Sequence, residues 1–431
     1  MRLRGFDQLR SARTNGRRDG PGRVLMLLGN CPYPRDNRVR REATGLVGAG
    51  YRVAVIAPAL SGEPLRESVD GVEVFRYPDL VRGASGGTYL LEYAYRTGAS
   101  LVLSARASLG TRTEVVHAHN PPDTFVLIGL LFKLLGRRFV YDHHDLAPEL
   151  FLSRFPGKGR ARSLAYRALA LLERFSCRLA DAVITTNESY RRVEIERNGI
   201  RPEKITVVRN GPGPEKLILE DADPALRERA PFVLGFIGVM GYADGVDYLL
   251  RAVHNLVYEL GRDDVYCVLV GGGDARADLQ KLATSLDLDR YVEFPGRLSD
   301  KDARRVLCSA DVCIVPDPSN TFNDLSTMTK MMDYMALGRP IVAFDLPEHR
   351  RTAGDAAVYV AGNDELELAR AISALLDDPE RRRQLGALAR TRVEEHLVWE
   401  HSLRHLLRVY RGLLGPAPRD MTSTAEPQRV A

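Results

Sequence analysis

Long apolar runs are missing from this 431-residue sequence. A membrane-spanning helix needs about 18 consecutive apolar residues, and the longest candidate, residues 125–135, is interrupted by Gly129 and Lys133. A buried helix is expected there, and an integral membrane protein is not. The first 23 residues hold seven arginines and two aspartates but no apolar signal stretch, so 1–22 reads as a disordered basic leader with no export role. Cysteine is scarce as well: there are five, none in a CxxC pair, and an odd one remains after any pairing. Three lie in apolar runs, which fits a reducing cytoplasm better than a disulfide framework.

What is present is an ordinary globular mixture, 45% hydrophobic and 27% charged. At about 150 residues per domain the length suits two domains. The net charge of +5 conceals an asymmetry: residues 24–210 hold 27 basic and 19 acidic side chains, whereas 211–431 hold 27 and 35. A basic front half and an acidic back half point to different partners. Nucleic acid would suit a basic surface, but no recognition motif for it is present.

Short Val- and Ile-rich runs alternate with longer amphipathic segments, the pattern of βα units around a parallel sheet buried on both faces. Strands are expected at 23–29, 52–57, 72–77, 115–118, 139–142, 182–186 and 205–209, and again at 232–239, 265–271, 292–294, 312–316, 340–344 and 357–360. Helices are expected at 40–49, 245–259, 274–286, 301–309, 327–337 and 365–376, with one long helix over 379–414 around Trp399, the single tryptophan. Residues 211–230, with Gly-Pro-Gly-Pro and no period, read as a linker. The expected organisation is α/β: a Rossmann-like domain over 23–210, the linker, a second over 231–395, a C-terminal helix over 396–414, and a disordered tail over 415–431.

Open parallel sheets take ligands beyond the carboxyl ends of their strands, so the residues just after each strand carry the chemistry. In the back half, the run Gly238-Val239-Met240-Gly241-Tyr242-Ala243-Asp244-Gly245 joins a strand to a helix. Backbone N–H groups at Gly238 and Gly241 can approach an anion there, although a tight βα connection needs glycine too. Further on, Asn323-Asp324-Leu325-Ser326-Thr327-Met328-Thr329-Lys330 precedes Asp333. Ser326 or Thr327 is expected to cap a helix whose positive end points at a ligand. A cation near a helix N-terminus opposes the macrodipole, so Lys330 is expected to bind phosphate. Asp333, on the same face, can accept hydrogen bonds from a ribose diol or pair with Lys330.

The Gly-rich turn followed by Leu249-Leu250-Arg251-Ala252, Val268-Leu269-Val270-Gly271-Gly272-Gly273, Val292-Glu293-Phe294-Pro295-Gly296, Ala310-Asp311-Val312 and Asp333-Tyr334-Met335-Ala336-Leu337-Gly338-Arg339-Pro340 together resemble glycosyltransferase family 4. With His117-Ala118-His119 in the front half the resemblance spans residues 23–414, and its closer match is a bacterial polysaccharide-assembly branch. It implies the GT-B fold, two Rossmann-like domains with parallel sheets facing a cleft and a C-terminal helix returning to the N-terminal domain. It also implies a retaining transfer from a nucleotide diphosphate sugar, with no metal or other cofactor required. Two departures stand out. Of two glutamates seven residues apart, Asp333 replaces the second and Leu325 the first. The family's cation pair in the Gly-rich turn aligns with Val239 and Asp244.

The resemblance makes His119 the histidine that contacts the donor sugar, and places Arg297 in the base-recognition loop. In the segment Asp142-His143-His144-Asp145-Leu146-Ala147-Pro148-Glu149, Asp145 or Glu149 can orient the acceptor hydroxyl or act as base, or Asp145 can simply cap a helix. Gly29 and Asn30 follow the first strand, where glycine permits close approach to substrate. Arg38, in an arginine cluster, is either an acceptor-phosphate contact or part of a solvated helix face. The histidines and carboxylates of these loops lack tight metal-ligand spacing. Basic, aromatic-bearing segments at 89–106 and 154–178 can lie on an anionic membrane. The acceptor is therefore expected to be a lipid-linked saccharide at the inner face of the cell membrane. The competing readings are a nucleotide-sugar epimerase and a degenerate nucleotide-sugar-binding partner subunit.

Overall fold

A computed structural model describes residues 22–80, 86–109, 111–154 and 159–416. Residues 1–21 of the expected leader and 417–431 of the expected tail lie outside them. Eight strands, β1 (Arg23–Leu27), β2 (Arg52–Ala59), β3 (Arg66–Val69), β4 (Val72–Pro78), β5 (Val115–His119), β6 (Arg138–His143), β7 (Ala182–Thr185) and β8 (Ile205–Val207), form a sheet in the order β3-β4-β2-β1-β5-β6-β7-β8. Six more, β9 (Phe232–Val239), β10 (Val265–Gly272), β11 (Val292–Gly296), β12 (Val312–Val315), β13 (Ile341–Phe344) and β14 (Ala357–Val360), form a second sheet, β11-β10-β9-β12-β13-β14. The strand β1 pairs in parallel with both β2 and β5, and β9 with both β10 and β12.

The continuous apolar runs follow from burial on both faces. In the second sheet Leu234, Phe236 and Leu269 face one core, and Val233, Val268 and Val270 face the other. The strand β3 pairs antiparallel with β4 at the sheet edge. Its sequence, Arg-Glu-Ser-Val, gives no apolar signal, and its two charges suit an edge that must not recruit another strand.

The described residues group into two compact units. One comprises residues up to 141, 179–181 and those from 407 on; the other comprises 142–178 and 182–406. Side-chain hydrogen bonds account for the grouping of 182–207 with the second sheet. Asn187 Nδ2 donates to the Leu325 carbonyl (2.9 Å) and to Thr327 Oγ1 (3.0 Å), and the Tyr190 hydroxyl lies 3.1 Å from Ser326 Oγ.

The expected single helix over 379–414 is instead three pieces: Pro379–Arg392, a wide turn Val393–Leu397, and Trp399–Leu414. Val398 breaks it with extended backbone, ψ 151°. There the chain meets the linker, where a Cβ on Gly211 would stand 1.8 Å from the Leu397 carbonyl oxygen, and Trp399 N–H donates to the Pro212 carbonyl. Within the first unit, Tyr410 on the last helix packs against Tyr51 at 5.6 Å between ring centroids and bonds His117 Nδ1 at 2.9 Å. The C-terminal helix does return to the residues of the first sheet.

Candidate functional site

The second unit concentrates polar chemistry at the carboxyl end of β9. The strand delivers Gly238 into the turn 238–245, which ends at Gly245 with φ +70°, the N-cap of the helix Val246–His254. A Cβ on Gly245 would lie 2.0 Å from the Pro316 carbonyl oxygen, so both conformation and space demand glycine. Gly245→Ala is expected to destabilise the protein by at least about 1–3 kcal/mol and to displace the turn; thermal unfolding of the purified variant measures the first.

Lys330 sits in the first turn of the helix Thr329–Ala336 and is 8% exposed. Its ammonium donates to both carboxylate oxygens of Asp317, at 2.8 and 2.9 Å, and lies 3.9 Å from Asp244 Oδ1 and 5.0 Å from the Phe236 ring centroid. Asp244 in turn accepts the Gly241 N–H at 2.9 Å through Oδ2. A Cβ on Gly238 would meet the Lys330 side chain at 3.3 Å. The turn's backbone, Lys330 and two carboxylates therefore share one locus. Burial raises the pKa of Asp244, with Asp317 adding to it and Lys330 and the Gly241 N–H opposing.

Two expectations change here. The helix cap is Met328, without a side-chain bond. Ser326 Oγ donates instead to the Phe322 carbonyl (2.8 Å), and Thr327 Oγ1 to Glu348 Oε2 (3.2 Å). These hydroxyls tie the loop to its neighbours rather than to the helix end. Lys330 and Asp333 are not partners: Asp333 accepts from Lys216 at 3.3 Å, and Asp317 holds Lys330. Arg297 is exposed, beside Gly272.

Glu149 is 8% exposed in the helix Ala147–Arg154, and its Oε1 accepts from Arg197 and from Tyr166 (3.3 Å). The same guanidinium holds Glu173 at 2.7–2.8 Å, and Glu173 and Glu194 flank the fully buried His143 ring at 3.3 and 3.0 Å. This network anchors Glu149, a tie between helices that residue spacing did not reveal. Burial works against a charged His143, but the two carboxylates outweigh it and raise its pKa well above the ordinary value. Asp145 lies half-buried in the loop after β6, and its charge acts on the buried Tyr190 hydroxyl.

In the first unit, His117 and His119 lie on the same side of β5, ring centroids 4.3 Å apart, and both are fully buried. Arg38, expected as a phosphate contact or solvated, is 6% exposed and pairs with Glu42 at 3.2 Å. Asn30 is exposed. At Gly29, a Cβ would stand 2.2 Å from Pro122 Cδ. The loop after β5 therefore leaves no room for a side chain at Gly29. The side chains of Glu42, His117 and His119 offer metal-ligand atoms within 4.8 Å of one another.

The family described as "Glycosyl transferases group 1" matches residues 231–378, and that described as "Glycosyl transferase 4-like domain" matches 36–211. A D-inositol 3-phosphate glycosyltransferase of Thermomonospora curvata is 29% identical over 54% of this chain, and the match spans 57% of that relative's length. Among solved structures, sucrose-phosphate synthase from Thermosynechococcus elongatus superposes with a TM-score of 0.71 at 18% identity, covering 91% of this chain and 99% of that one. HepE from Anabaena, in complex with UDP and glucose, gives 0.67 at 15%, covering 91% and 100%. The chain belongs to the family-4-type glycosyltransferases and has the GT-B fold.

Proposed function

We propose that this enzyme moves a sugar from a nucleoside diphosphate sugar to a hydroxyl acceptor, with retention at the anomeric carbon, in the assembly of a cell-surface polysaccharide or glycolipid. The observation that carries the reading is the buried Lys330 ammonium beside the Gly-rich turn at the carboxyl end of β9. Negative charge develops on the diphosphate as the glycosidic bond breaks, and a preorganised cation stabilises it. The backbone at Gly238 and Gly241 supplies further donors, Asp333 the ribose contact, Arg297 an exposed cation near the base, and His119 the contact to the donor sugar. No metal or other cofactor is required in this reading. The UDP and glucose bound by the HepE relative support a nucleotide sugar as donor.

A screen of nucleotide sugars with the purified protein tests this, with nucleoside diphosphate release followed over time and product anomers assigned by NMR. Product of retained configuration supports the proposal. Epimerised donor without transfer, or binding without any turnover, contradicts it in favour of the epimerase or partner-subunit readings.

The proposed acceptor is a lipid-linked saccharide, met at the inner face of the cell membrane. None of the described helices is long and apolar enough to cross a membrane. The helix Arg160–Leu179 supports peripheral attachment: Leu164, Leu171 and Phe175 are exposed, with Arg167, Arg174 and Arg178 exposed nearby. Each basic residue near an anionic surface contributes about 1 kcal/mol. Flotation with anionic liposomes is expected to carry the protein, and Arg→Gln at all three positions is expected to leave most of it unbound. Equal flotation of both proteins removes the electrostatic contribution of this helix.

A further inference from the structure

Asp244 lies within the Gly-rich turn, and its bond to that turn gives it a task of its own. Its Oδ2 accepts the Gly241 N–H at 2.9 Å, so the carboxylate already sits on a backbone donor of the turn. Its Oδ1 is 3.9 Å from Lys330 Nζ, whose ammonium both oxygens of Asp317 hold from the loop after β12. Asn323 Nδ2 fixes the turn from the opposite loop by donating to the Ala243 and Pro318 carbonyls at 2.9 Å, bringing no charge. The buried His349 ring, held by the Phe344 carbonyl, also faces this cluster electrostatically, and burial lowers its pKa, which keeps it neutral. With both aspartates ionised, the trio of Asp244, Asp317 and Lys330 is net negative, the wrong sign for a diphosphate.

We propose that Asp244 is a proton-coupled gate on the donor pocket: its carboxylate occupies the anion position of the Gly-rich turn, and a nucleoside diphosphate takes that position as Asp244 picks up one proton from solvent. This rests on the donor reading above. Protonation removes the like-charge conflict, releases the Gly241 N–H to a phosphate oxygen, and turns the Asp244 carboxyl into a further donor. Burial and the Asp317 charge ease that proton uptake by raising the Asp244 pKa. Asp317 is 1% exposed and directly paired, so it remains the partner of Lys330.

The test is calorimetric titration of UDP and GDP into the full chain between about pH 6 and pH 8, in buffers of different ionisation enthalpy, beside Asp244→Asn and Asp244→Ser. The variants' folding is checked by thermal unfolding. Subtracting the variants' pH dependence removes the titration of the ligand's own phosphate. The wild type is expected to take up about one proton more than the variants on binding and to weaken by up to about tenfold more per pH unit as pH rises. Both variants are expected to bind more tightly near pH 8. Equal pH slopes, or weaker binding by both folded variants, overturn the gate while leaving the donor reading intact. Binding that depends on added Mg²⁺ rather than on pH, and loses that dependence in Asp244→Asn, also overturns it. If neither nucleoside diphosphate binds any of the three proteins, the donor reading fails and the gate with it.

Discussion

Replacing Lys330 by methionine is expected to lower sugar-transfer turnover by about 10²–10³-fold, the usual cost of removing one preorganised donor from a developing oxyanion. Methionine keeps the length and apolar packing of the stem against Phe236 and Gly238 but removes the charge. The substitution also strands Asp317, which is 1% exposed and has the Lys330 ammonium on both its oxygens. An uncompensated buried carboxylate is itself strongly destabilising, so the single variant conflates folding with chemistry. The double variant Lys330→Met/Asp317→Asn separates them. It is expected to regain much of the lost thermal stability while staying as inactive as the single variant. Recovery of activity along with stability would show that Lys330 serves only to neutralise Asp317.

Arg197→Ala is expected to cost about 3–5 kcal/mol of folding stability, the range for breaking a buried ion pair by removing one partner. Arg197 bridges Glu149 and Glu173, and Glu173 shares the buried His143 with Glu194. Burial opposes ionisation of Glu173, but His143 and Arg197 prevail and hold it down to about 2, below the ordinary 4.5. Its stabilisation is therefore fully present above the ordinary carboxylate value and is lost as pH falls from about 4.5 towards 2. His143 has the opposite sign: its raised pKa stabilises below the ordinary 6.5, and that contribution is lost as pH rises through the raised value. Burial pushes the Glu194 pKa up, and the hydrogen bond and charge of the shared ring oppose it. Urea unfolding at a series of pH values from about 2 to 7 measures this. The variant should be less stable near neutrality, and the gap between the two proteins should narrow towards pH 2. A constant gap would mean that Arg197 acts through packing alone.

The βα alternation was legible because strands buried on both faces are written as unbroken Val and Ile runs, and the segments with that signature form the sheets. The edge strand β3 lacks the signal because it has an exposed side and charged residues. In the second unit, the strand-end rule directed attention to Gly238 and Gly241, and the charge of a helix end to Lys330. Distance in sequence hid their partners. Asp317 lies 13 residues before Lys330 across a strand-to-helix connection, and no local pattern pairs them. Asp244 was visible only as a missing cation, because its bond to Gly241 depends on the turn's conformation. Ser326 and Thr327 have capping chemistry, yet the chain stays extended until Met328 and their hydroxyls are drawn to Phe322 and Glu348. The His143 network joins residues from β6 and three helices over about 50 positions, beyond the reach of any periodicity.

The central claim is that Lys330 and the turn at Gly238–Gly241 hold the donor diphosphate. Its most direct measurement is the equilibrium binding of UDP and GDP to the wild type and to the folded double variant Lys330→Met/Asp317→Asn. At least one of the two nucleotides should bind the wild type, and the double variant should bind it about 30-fold or more weakly, the loss expected on removing one partner of a buried charged contact. Equal affinity for both proteins, with the variant folded, would contradict the assignment.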